Sequence, residues 1–202
     1  MKLYWGRMSP YARKVMVVAH ETGTASQIEL IEVRVDMASI NMEVQAANPL
    51  GKIPTLVLEN GAPLYDSRTI CEYLNSQASQ HDLFPDGPGR WEVLRFHALG
   101  DGIMDALILW RQEQLKPSER STPEWMTAFA TKVTAALDHL DQDTEHFFAQ
   151  PFNVGHAAIG CALGYLDLRF ADLNWRTGRP RLERWHATFE ARPSAIATRP
   201  NS

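Results

Sequence analysis

The chain has 202 residues, 45% hydrophobic and 22% charged, which is ordinary globular usage and excludes disordered, collagenous and fibrous classes. Lys plus Arg number 20 against 24 Asp plus Glu; the net charge of −4 argues against a general nucleic-acid binder and offers no electrostatic membrane anchor. Two widely separated cysteines, Cys71 and Cys161, make neither a disulfide framework nor a metal cluster, no apolar signal core follows Met1, and no apolar stretch is long enough to span a bilayer, so a cytoplasmic protein is expected.

Residues 2–5 read as a short strand, followed by the loop Gly6-Arg7-Met8-Ser9-Pro10. From residue 11 the spacing turns helical: Val15, Val18, Ala19 and Thr22 share one face, and Gly23 stands where a helix stops. Residues 28–35 alternate as a strand, and 39–47 predict a helix. Asn48-Pro49-Leu50-Gly51 is a turn. Strands at 55–58 and 62–65 flank Glu59-Asn60-Gly61, where Asn-Gly signals a hairpin. Asp66-Ser67 then caps a helix carrying Ile70, Tyr73 and Leu74. The order is βαβαββα, with a mixed sheet implied.

The composition changes at 81–89, where Leu83-Phe84-Pro85-Asp86-Gly87-Pro88-Gly89 reads as a linker. Only helix patterns follow. They cover 90–116, then 123 to about 148 with Trp125, Phe129, Val133, Leu137 and Leu140 on one face. A third, capped by Asn153, is rich in small residues, as a central bundle helix would be; the last covers 180–191. We expect an α/β domain over 1–80, a linker over 81–89 and an all-α helical bundle over 90–202.

Three short segments carry candidate chemistry. Ser9-Pro10-Tyr11-Ala12 opens the first helix, where free N–H groups and the helix dipole favour an anion and a hydroxyl can meet a ligand's thiolate. The plain alternative is an N-cap serine. Ile53-Pro54 precedes a strand; a cis bond there would present the backbone of Ile53 to an extended peptide. The plain alternative is a trans proline on an edge strand. Asp66-Ser67 offers amides and a hydroxyl for a carboxylate, and a carboxylate for an ammonium group, matching both ends of an α-amino acid. Simple capping is again the alternative. The seven histidines, at 20, 81, 97, 139, 146, 156 and 186, show no metal spacing, and no P-loop, dinucleotide or GxSxG motif occurs.

Taken together, these segments in a βαβαββα order resemble the glutathione S-transferase family. The resemblance rests on Ser9-Pro10-Tyr11-Ala12, on Asn48-Pro49-Leu50-Gly51-Lys52-Ile53-Pro54-Thr55-Leu56, and on Leu64-Tyr65-Asp66-Ser67-Arg68-Thr69-Ile70. It extends through the all-α half and is nearest to small bacterial members. It implies a thioredoxin-like first domain with a cis Pro54. It implies that Lys52, Ile53 and Pro54 belong to the glutathione site, with Ile53 pairing with the cysteinyl backbone, that Asp66 and Ser67 hold the γ-glutamyl end, and that Ser9 is the catalytic residue facing the sulfur. Met8, Tyr11 and Trp110 are the candidates for a second pocket taking a small apolar electrophile. Glutathione would be a co-substrate, with no cofactor and no metal.

Two departures stand out. Glutaredoxin-like relatives carry Cys-Pro-Tyr-Cys where this chain has Ser9 to Ala12, so dithiol exchange is excluded there. The family often opens the central α-domain helix with Ser/Thr-x-x-Asp; here Asn153-Val154-Gly155-His156 lacks the reciprocal carboxylate, which puts that helix's stability in question. The resemblance implies a glutathione transferase that activates the thiol. The alternatives are a glutathione-dependent lyase or reductase on the same fold, and a non-catalytic, protein-binding regulator. Whether Ser9, Tyr11 or backbone groups would activate the thiol stays open. A homodimer is expected, since the 90–116 helix has apolar residues on more than one side, Trp91, Leu94, Leu99, Ile103, Leu107 and Trp110.

Overall fold

The structure, a computed structural model, describes residues 1–78 and 82–200. Four strands form one mixed sheet in the order β2-β1-β3-β4, where β1 is Lys2–Trp5, β2 Glu29–Glu32, β3 Thr55–Val57 and β4 Pro63–Leu64. β1 and β2 are parallel, with Leu3 opposite Leu30. β3 runs antiparallel to β1, Tyr4 facing Thr55, and β4 antiparallel to β3, Leu56 facing Leu64. A parallel pair needs a crossover, and α1 (Pro10–Glu21) supplies it. α2 (Met42–Ala47) precedes β3, and α3 (Ser67–Ser76) follows β4 and packs against α1. Leu3, Val15, Val18, Ala19, Leu56, Ile70, Cys71 and Leu74 are buried as this unit's core. The thioredoxin-like order is the expected one.

β2 is shorter than the predicted 28–35, and α2 begins three residues later than 39. The reason for the late start is local: Asn41 Oδ1 accepts from the amides of Glu43 and Val44, both at 3.1 Å, and so sets the N-terminus.

The remaining elements are helical: α4 (Gly89–Gln114), α5 (Pro123–Gln142), α6 (Thr144–Phe147), α7 (Val154–Arg169), α8 (Pro180–Glu190) and α9 (Pro193–Ala197). The single helix predicted from 123 to 148 is divided at Asp143. There the Thr144 hydroxyl donates to the carbonyls of Leu140 (2.8 Å) and Asp141 (2.9 Å), competing with the backbone ladder. α7 is buried along nearly its whole length, as its small residues suggest. Glycines let α4 and α7 approach closely: a Cβ on Gly100 would lie 2.7 Å from the Ala158 carbonyl carbon, and Gly155 sits against Val93 and Phe96.

The chain divides into two compact units, Met1–Arg90 with Pro193–Ser202, and Trp91–Arg192. The last helix therefore belongs with the first unit, where the expected all-α domain ran on to 202. α9 lies on α1: Arg13 Nη2 donates to the Ala195 carbonyl at 3.4 Å, and the Ser194 hydroxyl donates to Glu21. Residues 79–81, where the first domain was expected to end and the linker to begin, lie outside the described residues, as does His81. Among the described residues no helix is long and apolar enough to cross a membrane.

Candidate functional site

The pairing directions bring the three candidate segments together. β1 and β2 end, β3 begins and β4 ends at the same edge of the sheet. The loop into α1, the residues before β3 and the step into α3 therefore all open at that edge.

Ser9 is the N-cap of α1, and its Oγ accepts from the Ala12 amide at 3.3 Å. The free amides expected at this terminus are largely spoken for. The Ser9 amide donates to the Gly6 carbonyl at 2.9 Å, Pro10 has no N–H, and the Arg13 amide donates to the Ser9 carbonyl at 3.0 Å. Acting as an acceptor in the cap leaves the Ser9 hydroxyl its own proton to donate. Met8 and Tyr11 flank this point, both half-buried. Beside it, the Arg7 guanidinium donates to Glu32 Oε1 at 2.8 Å, and that bond holds the Glu32 carboxyl below its ordinary range. The Tyr4 phenol is pushed up, first by burial and then by the Glu43 carboxylate.

The Ile53–Pro54 bond is cis. A clamp that went unnoticed in the sequence holds the preceding turn. The Lys52 carbonyl accepts from Asn48 Nδ2 (3.2 Å) and from the Thr55 hydroxyl (2.8 Å), while Asn48 Nδ2 also reaches Thr55 Oγ1 at 3.0 Å. Asn48 in a turn was the visible signal; its Oδ1 accepts from the Leu50 amide, an Asx turn. Lys52 is exposed and Ile53 half-buried. Ile53 Cδ1 lies where a Cβ on Gly6 would come within 2.9 Å, so the absence of a side chain at Gly6 makes room for it.

Asp66 is the N-cap of α3, with Oδ1 accepting from the Arg68 amide at 2.9 Å. Its side chain is exposed, whereas Ser67 behind it is buried. The helix itself offers no acceptor to the amides of Ser67 and Thr69. Ser9, Ile53, Pro54, Asp66 and Ser67 thus stand at one sheet edge of the first unit. Trp110 lies in the second unit, only 7% exposed, its ring 5.0 Å from that of Phe170. Among the described residues no group of three His, Cys, Asp or Glu could hold a metal ion.

The cap of α7 corrects the expectation of a broken capping box. Asn153 Oδ1 accepts from the amides of Gly155 (3.0 Å) and His156 (3.3 Å), and the Asn153 amide donates back to His156 Nδ1 at 3.1 Å. His156 supplies the reciprocal acceptor in place of the carboxylate. Since Nδ1 accepts, the ring is neutral and its Nε2–H donates to the Phe147 carbonyl at 3.1 Å. Burial lowers its pKa to about 4.

Comparison with known proteins identifies the family. Residues 8–77 match the family model for the glutathione S-transferase N-terminal domain, and 123–188 that for the C-terminal domain. A GST-like protein of Escherichia coli (strain K12), YibF, is 31% identical over 99% of this chain and 98% of its own. A glutathione transferase family member from Pseudomonas fluorescens Pf-5, solved with bound glutathione, superposes with a TM-score of 0.96 at 41% identity, covering 100% of this chain and 99% of that one. A second structure described as a family member from the same bacterium holds S-(propanoic acid)-glutathione, at 41% identity and a TM-score of 0.92, covering 100% of each chain. Matched in both of its halves and along its length, this chain belongs to the glutathione S-transferase family.

Proposed function

We propose that this chain binds glutathione at the sheet edge of its first unit and joins the sulfur to a small electrophile. The observation that carries the reading is the convergence of Ser9, the cis Ile53–Pro54 step and Asp66-Ser67 at that edge. The cysteinyl backbone of glutathione pairs with the N–H and C=O of Ile53 as an added strand. The γ-glutamyl carboxylate takes the amides and hydroxyl at the start of α3, and its ammonium group takes the exposed Asp66 carboxylate. The Ser9 hydroxyl donates to the sulfur, and does so more strongly to S⁻ than to SH. That difference lowers the thiol pKa and raises the thiolate fraction near neutral pH; equal bonds to both forms would not. With Ala12 N–H already engaged by Ser9 Oγ, the hydroxyl rather than the helix amides is the donor we assign.

The acidic adduct held by the Pseudomonas protein supports an electrophile with a small apolar body whose product carries a carboxylate. For an α,β-unsaturated acid, the thiolate sulfur bonds to the β-carbon and the π pair moves toward the α-carbon and carboxylate. The α-carbon then takes a proton from water, and nothing leaves. We also propose a two-fold dimer. Trp91 is 73% exposed on α4, and Leu109 further along the same helix is exposed too, so an apolar face is left for a second copy. Light scattering should return twice the 22.8 kDa chain mass. Calorimetric titration with glutathione tests the site, and absence of binding overturns it. If glutathione binds but a panel of unsaturated acids and alkyl halides gives no adduct, conjugation is ruled out in favour of lyase, reductase or binding roles.

A further inference from the structure

The Lys52 carbonyl accepts from the Thr55 hydroxyl at 2.8 Å and from Asn48 Nδ2 at 3.2 Å, so both of its lone pairs are taken. The two donors are themselves locked. Asn48 Nδ2 also donates to Thr55 Oγ1 at 3.0 Å, and Asn48 Oδ1 accepts from the Leu50 amide at 3.0 Å. Asn48 is 2% exposed and Thr55 0%. Downstream, Thr55 is held in β3 opposite Tyr4 of β1. Between these anchors stands Ile53, whose N–H and C=O have no hydrogen-bond partner among the described residues.

The plain task of a buried Asn and Thr is to satisfy one another, and their mutual bond already begins that. It does not require them to draw in the carbonyl of Lys52, an exposed residue with water for a partner. What the two further bonds fix is direction. The Lys52 C=O and the Ile53 N–H belong to one planar, trans peptide unit and point opposite ways. Holding the oxygen toward Asn48 and Thr55 therefore turns the Ile53 N–H away from the clamp. Turning that peptide plane over would break both bonds at once. The Ile53 side chain is seated separately, with Cδ1 in the room left by Gly6 at the end of β1.

We infer that Asn48 and Thr55 are positioning residues for glutathione: by gripping the Lys52 carbonyl they aim the Ile53 N–H at the cysteinyl carbonyl of the ligand. The inference rests on the glutathione-binding reading above and adds the side chains that set its cysteinyl contact in advance. Both act through the Lys52 carbonyl. A donor that is already aimed costs no ordering when the ligand arrives. With the clamp cut, the peptide plane samples other orientations, and part of the binding free energy goes into selecting the right one.

The test combines calorimetric titration of the full chain with glutathione and amide hydrogen exchange at Ile53. In the wild type the Ile53 amide should exchange fast without ligand and become protected when glutathione binds. Thr55→Val keeps the branched shape and removes the hydroxyl. Asn48→Ser keeps an acceptor for the Leu50 amide and removes the Nδ2 donor. Each should weaken glutathione about fivefold or more, the usual yield of one hydrogen bond, and reduce the protection of Ile53. Thr55→Ser, which returns the hydroxyl, should restore both. Unchanged affinity and protection in Thr55→Val and Asn48→Ser, with only a lower melting temperature, would make the clamp a folding device alone and overturn the inference. Binding that leaves the wild-type Ile53 amide unprotected overturns it too. If one variant does not fold the other decides, and failure of both to fold counts against the assignment to binding. Glutathione that does not bind the wild type would instead overturn the reading of the site itself.

Discussion

At the N-terminus of α1, Ser9 caps with one long bond and lies half-buried at an open sheet edge; at that of α7, Asn153 is buried and bonded in both directions with His156. Both are N-caps by the same chemistry. The difference lies in what remains. Ser9 keeps a hydroxyl proton and a position at the sheet edge, as Asp66 keeps an exposed carboxylate. Asn153 and His156 use their polar atoms on each other, on the α7 amides and on the Phe147 carbonyl. A cap at an edge can do a second job, while a buried reciprocal cap is committed to folding.

The comparison breaks most visibly with acid. Burial holds the folded His156 pKa at about 4, against 6.5 for an ordinary histidine. The unfolded chain therefore takes up the proton first as pH falls. The stabilisation is complete above about pH 6.5, drains as pH drops toward 4 and is gone below it. Over that window the wild type should lose about 3 kcal/mol of stability through this group, followed by urea unfolding at a series of pH values. His156→Gln keeps an acceptor at the same position of the box and should flatten this part of the profile. An unchanged slope would remove His156 as its source.

At the edge sites the effects should appear in binding and chemistry instead. Asp66→Ala should weaken glutathione roughly 10- to 150-fold, the loss of a charged hydrogen bond, and Arg68→Ala should cost less. Calorimetry giving equal or reversed losses would take Asp66 out of the site. Ser9→Ala should raise the pKa of the bound thiol by about one to two units, or ~1.4–2.7 kcal/mol, with little change in affinity for an S-alkylated glutathione. Ultraviolet titration of the thiolate in wild type, Ser9→Ala and Tyr11→Phe identifies the hydroxyl, and a shift only in Tyr11→Phe would reassign it. The smallest effect belongs to Gly6→Ala. Its new Cβ meets the flexible tip of Ile53 at 2.9 Å and the Val33 carbonyl at an ordinary contact distance of 3.4 Å, so glutathione affinity should fall a few-fold with a small change in melting temperature.

Much of the first unit was legible because its signals are local. Ser9, Asp66 and Asn153 each bond an amide within three residues, so a cap can be read from a short window. The Asn60-Gly61 turn is equally local, with Gly61 at φ +84 and Asn60 Oδ1 accepting from the Ala62 amide. Each of the three site segments was visible on its own, and the family resemblance supplied their joint meaning. His156 escaped notice because a ring nitrogen in the role of a carboxylate has no sequence signature.

By itself, then, the amino-acid sequence determined where α1, α3 and α7 begin, where the hairpin turns and which polar residues stand at those points. Tertiary structure decided the rest. Strand pairing in the order β2-β1-β3-β4 put Ser9, Ile53 and Asp66 at one edge. The return of α9 onto α1 took Pro193 and its successors out of the helical unit. The packing of α4 on α7 set Gly100 against Ala158 and buried Trp110 against Phe170. The reason is one of range: a cap or turn is settled by atoms a few bonds away, while these juxtapositions join residues tens to hundreds of positions apart, whose meeting depends on how whole faces bury.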